Sequence, residues 1–283
     1  MSAWIAIALV VAQQATDGER YQPVLAADTS IELDAAWEPC KDSLYHLFEQ
    51  TPALREPRPA VPHQRHEAAA FRPFLPQVPV ALGEPWRVDD EAVLAFLRQF
   101  HPGAAVRAPF GGEVPGTWAL LRAVGPDAFE LLLRAHAILN LDDGVVYKPA
   151  QFEGRLVIGR DGALRSFTLA LPSRDTNVDV NVPMPNAAEE KWVDAEGNEV
   201  RMSPMAADIG WVPRMELTSA PVPAPAWTHE IPDETARLAL RRAFYPFAAL
   251  DWLPFEEAVL AARERQKPLH LVLLFGCLDD DSC

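Results

Sequence analysis

The chain has 283 residues, 49% of them hydrophobic and 23% charged, an ordinary globular composition that excludes global disorder and is long enough for one or two domains with real cores. Its net charge of -15 disfavours nucleic acid and an anionic membrane surface as partners. Three cysteines, Cys40, Cys277 and Cys283, are too few and too scattered for a disulfide framework or a zinc site.

Residues 3–12 form an apolar run, too short to span a bilayer and about right for a signal-peptide core, with Val10-Val11-Ala12 as a cleavage site but no preceding Lys or Arg. We assign 1–16 to a signal peptide or membrane anchor; the alternative is a buried strand or a mis-assigned start codon. Residues 17–84 read as a proline-rich irregular region, with a short helix over 42–49 and extended chain from Pro52 to Pro79. Cys40 reads as a structural thiol, and His63-x-x-His66 as a surface pair without a third metal ligand.

From residue 85 to 220 the pattern predicts a β-rich domain, mostly antiparallel. It opens with a helix capped by Asp89 or Asp90, striped by Val93, Phe96, Leu97 and Phe100, and stopped at His101-Pro102. The period then changes to two: Phe129, Leu131, Leu133, Ala135, Ala137, Leu139 and Leu141 alternate with Glu130, Arg134, His136 and Asn140, the pattern of one half-buried strand. Turns at Gly125-Pro126-Asp127 and Asp142-Asp143-Gly144 bracket it. Arg160-Asp161-Gly162 joins two apolar runs as a hairpin, and Val178, Val180 and Val182 mark another strand. The oxygen alternation Asp175-x-Asn177-x-Asp179-x-Asn181 lacks the glycine and glutamate of a calcium loop, so it reads as the polar face of that strand.

Residues 221–232 look like a linker. Ala236, Leu240, Ala243 and Phe244 then stripe a helix starting near Asp233, and Phe255, Ala258, Val259 and Ala262 stripe a second one. Leu269 to Phe275 follows as a strand apolar on both faces apart from His270. Helix, Lys267-Pro268 and apolar strand resemble the arrangement in thioredoxin-like domains, where the strand end delivers a redox cysteine to a helix N-terminus. The expected fold class is therefore α+β: a mostly antiparallel β-rich domain followed by an incomplete thioredoxin-like α/β segment over 233–283, the chain being cut inside a redox domain. An orphaned strand there would pair with the preceding domain or present an apolar edge that favours a homodimer.

The tail Leu278-Asp279-Asp280-Asp281-Ser282-Cys283 is similar to the selenoprotein N family, whose redox motif is Ser-Cys-selenocysteine-Gly. Further segments match in the same order over roughly 85–283: Phe100-His101-Pro102, Pro149 to Gly154, Asp208 to Leu217, Arg242 to Phe247, and Leu253-Pro254-Phe255. The resemblance implies that Cys283 is the redox partner of a selenocysteine at the next position, that Ser282 belongs to the motif, and that a UGA codon explains the ending. It implies a thiol or selenol oxidoreductase acting on protein thiols and disulfides or peroxides, with Cys283 resolving the mixed intermediate as a selenenylsulfide. No other cofactor and no metal is expected. Cys277 stands six residues before Cys283 where the family has a small non-cysteine residue; burial at the strand end is favoured over a disulfide with Cys283. The aspartates 279–281 read as a solvated acidic loop.

For the animal family the implied location is the endoplasmic reticulum membrane and the implied partner its calcium pump; a bacterial-type homologue would sit in the envelope. Some family members carry an EF-hand calcium loop, which this sequence lacks, so calcium sensing is not carried over. The competing function class is a non-catalytic protein-interaction module with a vestigial or regulatory redox motif.

Overall fold

The computed structural model describes residues 19–106, 116–173, 176–184, 190–193, 199–202, 204–244 and 253–269. The chain enters through β1 (Ser30–Trp37) and the two-residue β2 (Asp42–Ser43), then the single-turn helices α1 (Leu47–Gln50) and α2 (Pro52–Arg55). It continues through β3 (His63–Glu67), α3 (Ala68–Phe71), β4 (Pro85–Val88), α4 (Asp90–Phe100) and β5 (Ala104–Ala105). A run of strands follows: β6 (Thr117–Val124), β7 (Ala128–Ala135), β8 (Ile138–Asn140), β9 (Val146–Pro149), β10 (Phe152–Gly159), β11 (Leu164–Ala170) and β12 (Val178–Pro183). After it come β13 (Glu190–Val193), β14 (Glu199–Met202), β15 (Met205–Trp211), β16 (Met215–Ser219), β17 (His229–Glu230), α5 (Asp233–Phe244) and α6 (Phe255–Glu264).

The strands make a nine-stranded sheet in the order β17-β6-β7-β10-β11-β16-β1-β3, with β4 also on β6, and a six-stranded sheet in the order β2-β15-β12-β9-β8-β5. β13 and β14 pair as a separate hairpin, and the described pairings are antiparallel. The mostly antiparallel α+β class read from the sequence holds.

The two sheets share one core. Leu121, Leu131, Leu133, Phe152, Leu156, Phe167 and Leu217 from the larger sheet meet Leu139, Tyr147, Val178 and Val180 from the smaller, with α4 packed among them. α4 forms where its sequence says it should: the Asp89 carboxylate accepts from the Glu91 amide at the N-terminus, and Val93, Phe96, Leu97 and Phe100 are buried. The β10–β11 hairpin turns through Gly162 at φ 83°, a left-handed conformation that favours glycine.

Other expectations are corrected. The predicted strand over 129–141 is two elements: β7 ends its register with β6 and β10 at Ala135, and β8 resumes in the smaller sheet against β5 and β9. Nor is β7 half-buried, since all eight of its residues are buried. The irregular region over 17–84 supplies β1 and β3 to the larger sheet, because Leu33 and Trp37 alternate inward on β1. The 221–232 run carries β17, paired to β6 through His229 and Glu230. The helix expected over 42–49 is reduced to α1, preceded by β2.

His66, expected at the surface, is 4% exposed and stacks on Phe96 with ring centroids 4.7 Å apart. His63 lies exposed beside Asp34, so the two histidines do not converge on a metal. Burial pushes the His66 pKa down, partly offset by Gln99 Oε1 at 3.2 Å from Nε2. An unfolded histidine titrates near about 6.5, so below that pH the unfolded chain binds the proton first. Stability is therefore full above that value and falls as the pH drops toward the folded pKa. His101 is shifted down by burial too, against the opposing charge of Asp142. Urea midpoints at about pH 7.5 and about pH 5.5 should differ less in His66→Phe than in the parent; equal differences would rule His66 out as the source.

Candidate functional site

Cys277, Ser282 and Cys283 lie outside the described residues, as do the apolar run over 3–12 and all but Leu269 of the strand expected from Leu269 to Phe275. Cys40 is described, and its Sγ donates to the Asp42 carbonyl at 3.0 Å. Burial raises its pKa, with lesser opposition from hydrogen bonds to Asp42 and Trp211. A thiol held protonated is a poor nucleophile, and its tight packing against Gly210, where a Cβ would come within 2.6 Å of Sγ, fits a structural role. Among the described residues no group of three or more His, Cys, Asp or Glu could hold a metal ion.

The principal polar site lies where α5 crosses the outer face of the larger sheet. Alternation along β6 and β7 sends Leu121, Leu131 and Leu133 to the core and Leu120, Arg122, Glu130, Leu132 and Arg134 outward. α5 covers that outward face, with Ala236 and Leu240 against Leu120 and Leu132. At its first residue, Asp233 pairs with Arg155 and with Arg122, the latter at 3.3 Å.

Arg122 also pairs with Glu130 and, at 3.0 Å, with Glu230 of β17. Arg155 Nη1 lies 3.1 Å from both Glu130 oxygens. The side chains of Arg122 and Glu130 are 8% and 7% exposed, so this is a buried ion network joining three strands, the edge strand and a helix. Burial works to raise the Asp233 pKa, but the hydrogen bond and charge of Arg155, with Arg122 and Arg237, outweigh it and hold the carboxyl below its usual range. Burial likewise opposes charge on Arg155, and Glu130 and Asp233 reverse that effect.

Further along the helix Arg237 pairs with Glu153 at 2.9 Å, and Arg134 donates to Gln151 at 2.9 Å. His136 stacks on Phe244, centroids 3.9 Å apart, and the Arg134 guanidinium lies 5.5 Å from the same ring. These groups hold charge and fix the helix. The network was not foreseen from the sequence; the one signal was Arg122, Glu130 and Arg134 standing in two largely apolar strands.

Several segments that carry the family resemblance sit at structural junctions. Asp208, 1% exposed, accepts from the amides of Tyr45 and Leu47. Asn177 Oδ1 accepts from the Val212 amide, and its Nδ2 donates to the carbonyls of Pro172 and Val212. Phe152 stacks on Phe100 with centroids 5.7 Å apart. Such positions specify a fold rather than a reaction.

No protein-family model matches the chain, and no solved structure matches it. Three curated relatives do: selenoprotein N of Mus musculus, 28% identical over 93% of this chain and 54% of its own length; selenoprotein N of Homo sapiens, 28% identical over 75% of this chain and 43% of its own length; and selenoprotein N of Danio rerio, 26% identical over 80% and 48%. The chain spans about half the length of the curated relatives it matches. Agreement of three such relatives over at least three quarters of the chain goes well beyond the short segments quoted above, and the chain is related to the selenoprotein N family.

Proposed function

We propose that the protein is a selenoprotein N-like thiol or selenol-disulfide oxidoreductase, with Cys283 as redox partner of a selenocysteine at the following position and the two-sheet body as its platform. The observation that carries this reading is the kinship with proteins named selenoprotein N across most of the chain, combined with Ser282-Cys283 after an acidic Leu278-Asp279-Asp280. The selenocysteine would supply the attacking selenol. Cys283 would provide the neighbouring thiol that resolves the exchange, and a thioredoxin-like helix N-terminus would favour its thiolate. Substrates of this class are protein disulfides or peroxides. The apolar run over 3–12 supports export or membrane association; no helix among the described residues is long and apolar enough to cross a membrane.

The nucleotides after the Cys283 codon test the reading directly. UGA, a glycine codon and an open frame are expected; UAA or UAG with no coding sequence beyond overturns it. In the full-length protein, Cys283→Ser should slow reduction of a protein disulfide by at least roughly a hundredfold, with Cys277→Ser within about twofold of the parent.

A second reading, a non-catalytic interaction module, is favoured by α6. Of its apolar stripe Phe255 is 57% exposed and Ala258, Val259 and Ala262 are only half-buried, with Leu260 beside them 66% exposed, so α6 buries no side chain fully. Partner binding untouched by Cys283→Ser, in a full-length protein that reduces no disulfide, would select this reading.

A further inference from the structure

α5 is attached differently from the other elements that cover the sheets. Its buried apolar contact is a satellite of four side chains, Leu120, Leu132, Ala236 and Leu240, separate from the main core. Phe244 closes its far end against His136. The remaining hold is the partly buried Trp86, Trp118, Ile231 and Ala239 around that satellite, and ion pairs reached by water: the side chains of Asp233, Arg155 and Arg237 are 40%, 32% and 49% exposed. Clefts flank the helix on the sheet side. One of about 320 Å³ is lined by Gln151, Glu153, Glu234 and Arg237, and another of about 170 Å³ by Arg155, Thr168, Ala170 and Pro172.

Lifting α5 would leave the main core closed. Arg122, Arg155 and Glu130 would keep one another as partners and gain water, while the part-exposed Asp233 and Arg237 would exchange Arg122, Arg155 and Glu153 for water. Elements with few buried apolar contacts and solvent-reached polar bonds open locally at a fraction of the global unfolding free energy. We infer that α5 is a detachable strap whose seating on β6 and β7 is set by the Asp233 carboxylate gripped between Arg122 and Arg155. α5 precedes Cys277, Ser282 and Cys283 in the sequence, so its release lengthens the stretch of chain between β17 and the proposed redox residues. That consequence rests on the proposed redox reading; the release itself does not.

Hydrogen exchange on the whole protein, followed by mass spectrometry, tests the strap. Amides of 233–244 should exchange at least about tenfold faster than those of 128–135, which are tied to global opening. Asp233→Asn should speed exchange in 233–244 by about a further fivefold and leave 128–135 unchanged. Raising the salt from about 0.05 M to about 1 M should have the same local effect in the parent and little in the variant. Exchange of both segments at one rate, or an Asp233→Asn effect spread equally over both, would show that α5 is an integral part of the fold and overturn the inference. The redox reading fails separately, in the codon and disulfide tests, without altering the exchange pattern.

Discussion

Glu130→Ala is expected to destabilise the protein by about 3–5 kcal/mol, the range for removing one member of a buried ion network. Glu130 accepts from both Arg122 and Arg155 and is 7% exposed. Its removal leaves Arg122, 8% exposed, with only the partly exposed Glu230 and Asp233 as counter-charges. Under-compensated burial of the guanidinium then dominates, because desolvation of a charge exceeds what the water-screened carboxylates of Glu230 and Asp233 return, even at 3.0 and 3.3 Å. Glu130→Gln keeps the volume and one acceptor, so its loss should fall between that of alanine and the parent. The contrast is Glu153→Ala, whose pair with Arg237 joins side chains 24% and 49% exposed; there the loss should be at most about 1 kcal/mol. Urea midpoints at constant m-value measure all three. A Glu130→Ala loss no larger than that of Glu153→Ala would mean that Glu230 and Asp233 alone neutralise Arg122.

The elements that could be read from the sequence are those whose signal is local. α4 carries its cap, its stripe and its stop within thirteen residues, Asp89 to His101. The β10–β11 hairpin carries its turn at Arg160-Asp161-Gly162. β3 carries no such signal. Its sequence His-Gln-Arg-His-Glu has one inward side chain, His66, and its place in the sheet is decided by pairing with β1. β1 does alternate, but its partner β16 lies some 180 positions away in sequence, from Ser219 opposite Leu33 to Met215 opposite Trp37. Alternation on β7 identified which residues face the core, yet not that Glu130 and Arg134 are buried too, because a polar strand face reads the same under solvent or under a helix. The α5 stripe was equally visible, while the surface it covers was not. Of the proposed redox site only the Ser282-Cys283 motif is legible in the sequence, and it lies outside the described residues.

Phe167→Ala should cost about 3–5 kcal/mol, as large aromatic truncations in closed cores do. Phe167 is fully buried on β11, and its ring meets three others: Phe96 at 5.0 Å, Phe71 at 5.2 Å and Phe74 at 6.3 Å between centroids. Those partners come from α4, α3 and the turn of 3-10 helix after α3. The cluster therefore ties the region before residue 85 to the larger sheet, so the cavity would open at the seam between them rather than inside one element. Truncation loses the transfer free energy of the ring, its edge-on contact with Phe71 and stacked contact with Phe74, and the packing of whatever cannot collapse into the space. Because Phe96 and Phe167 touch, Phe96→Ala on the Phe167→Ala background should cost less than on the parent, a shortfall of at least about 0.5 kcal/mol. Val24→Ala, at a side chain 64% exposed, serves as the control and should stay within about 0.5 kcal/mol. Full additivity of the two phenylalanine substitutions, measured by urea unfolding, would mean that the rings contribute independently and that the seam is held elsewhere.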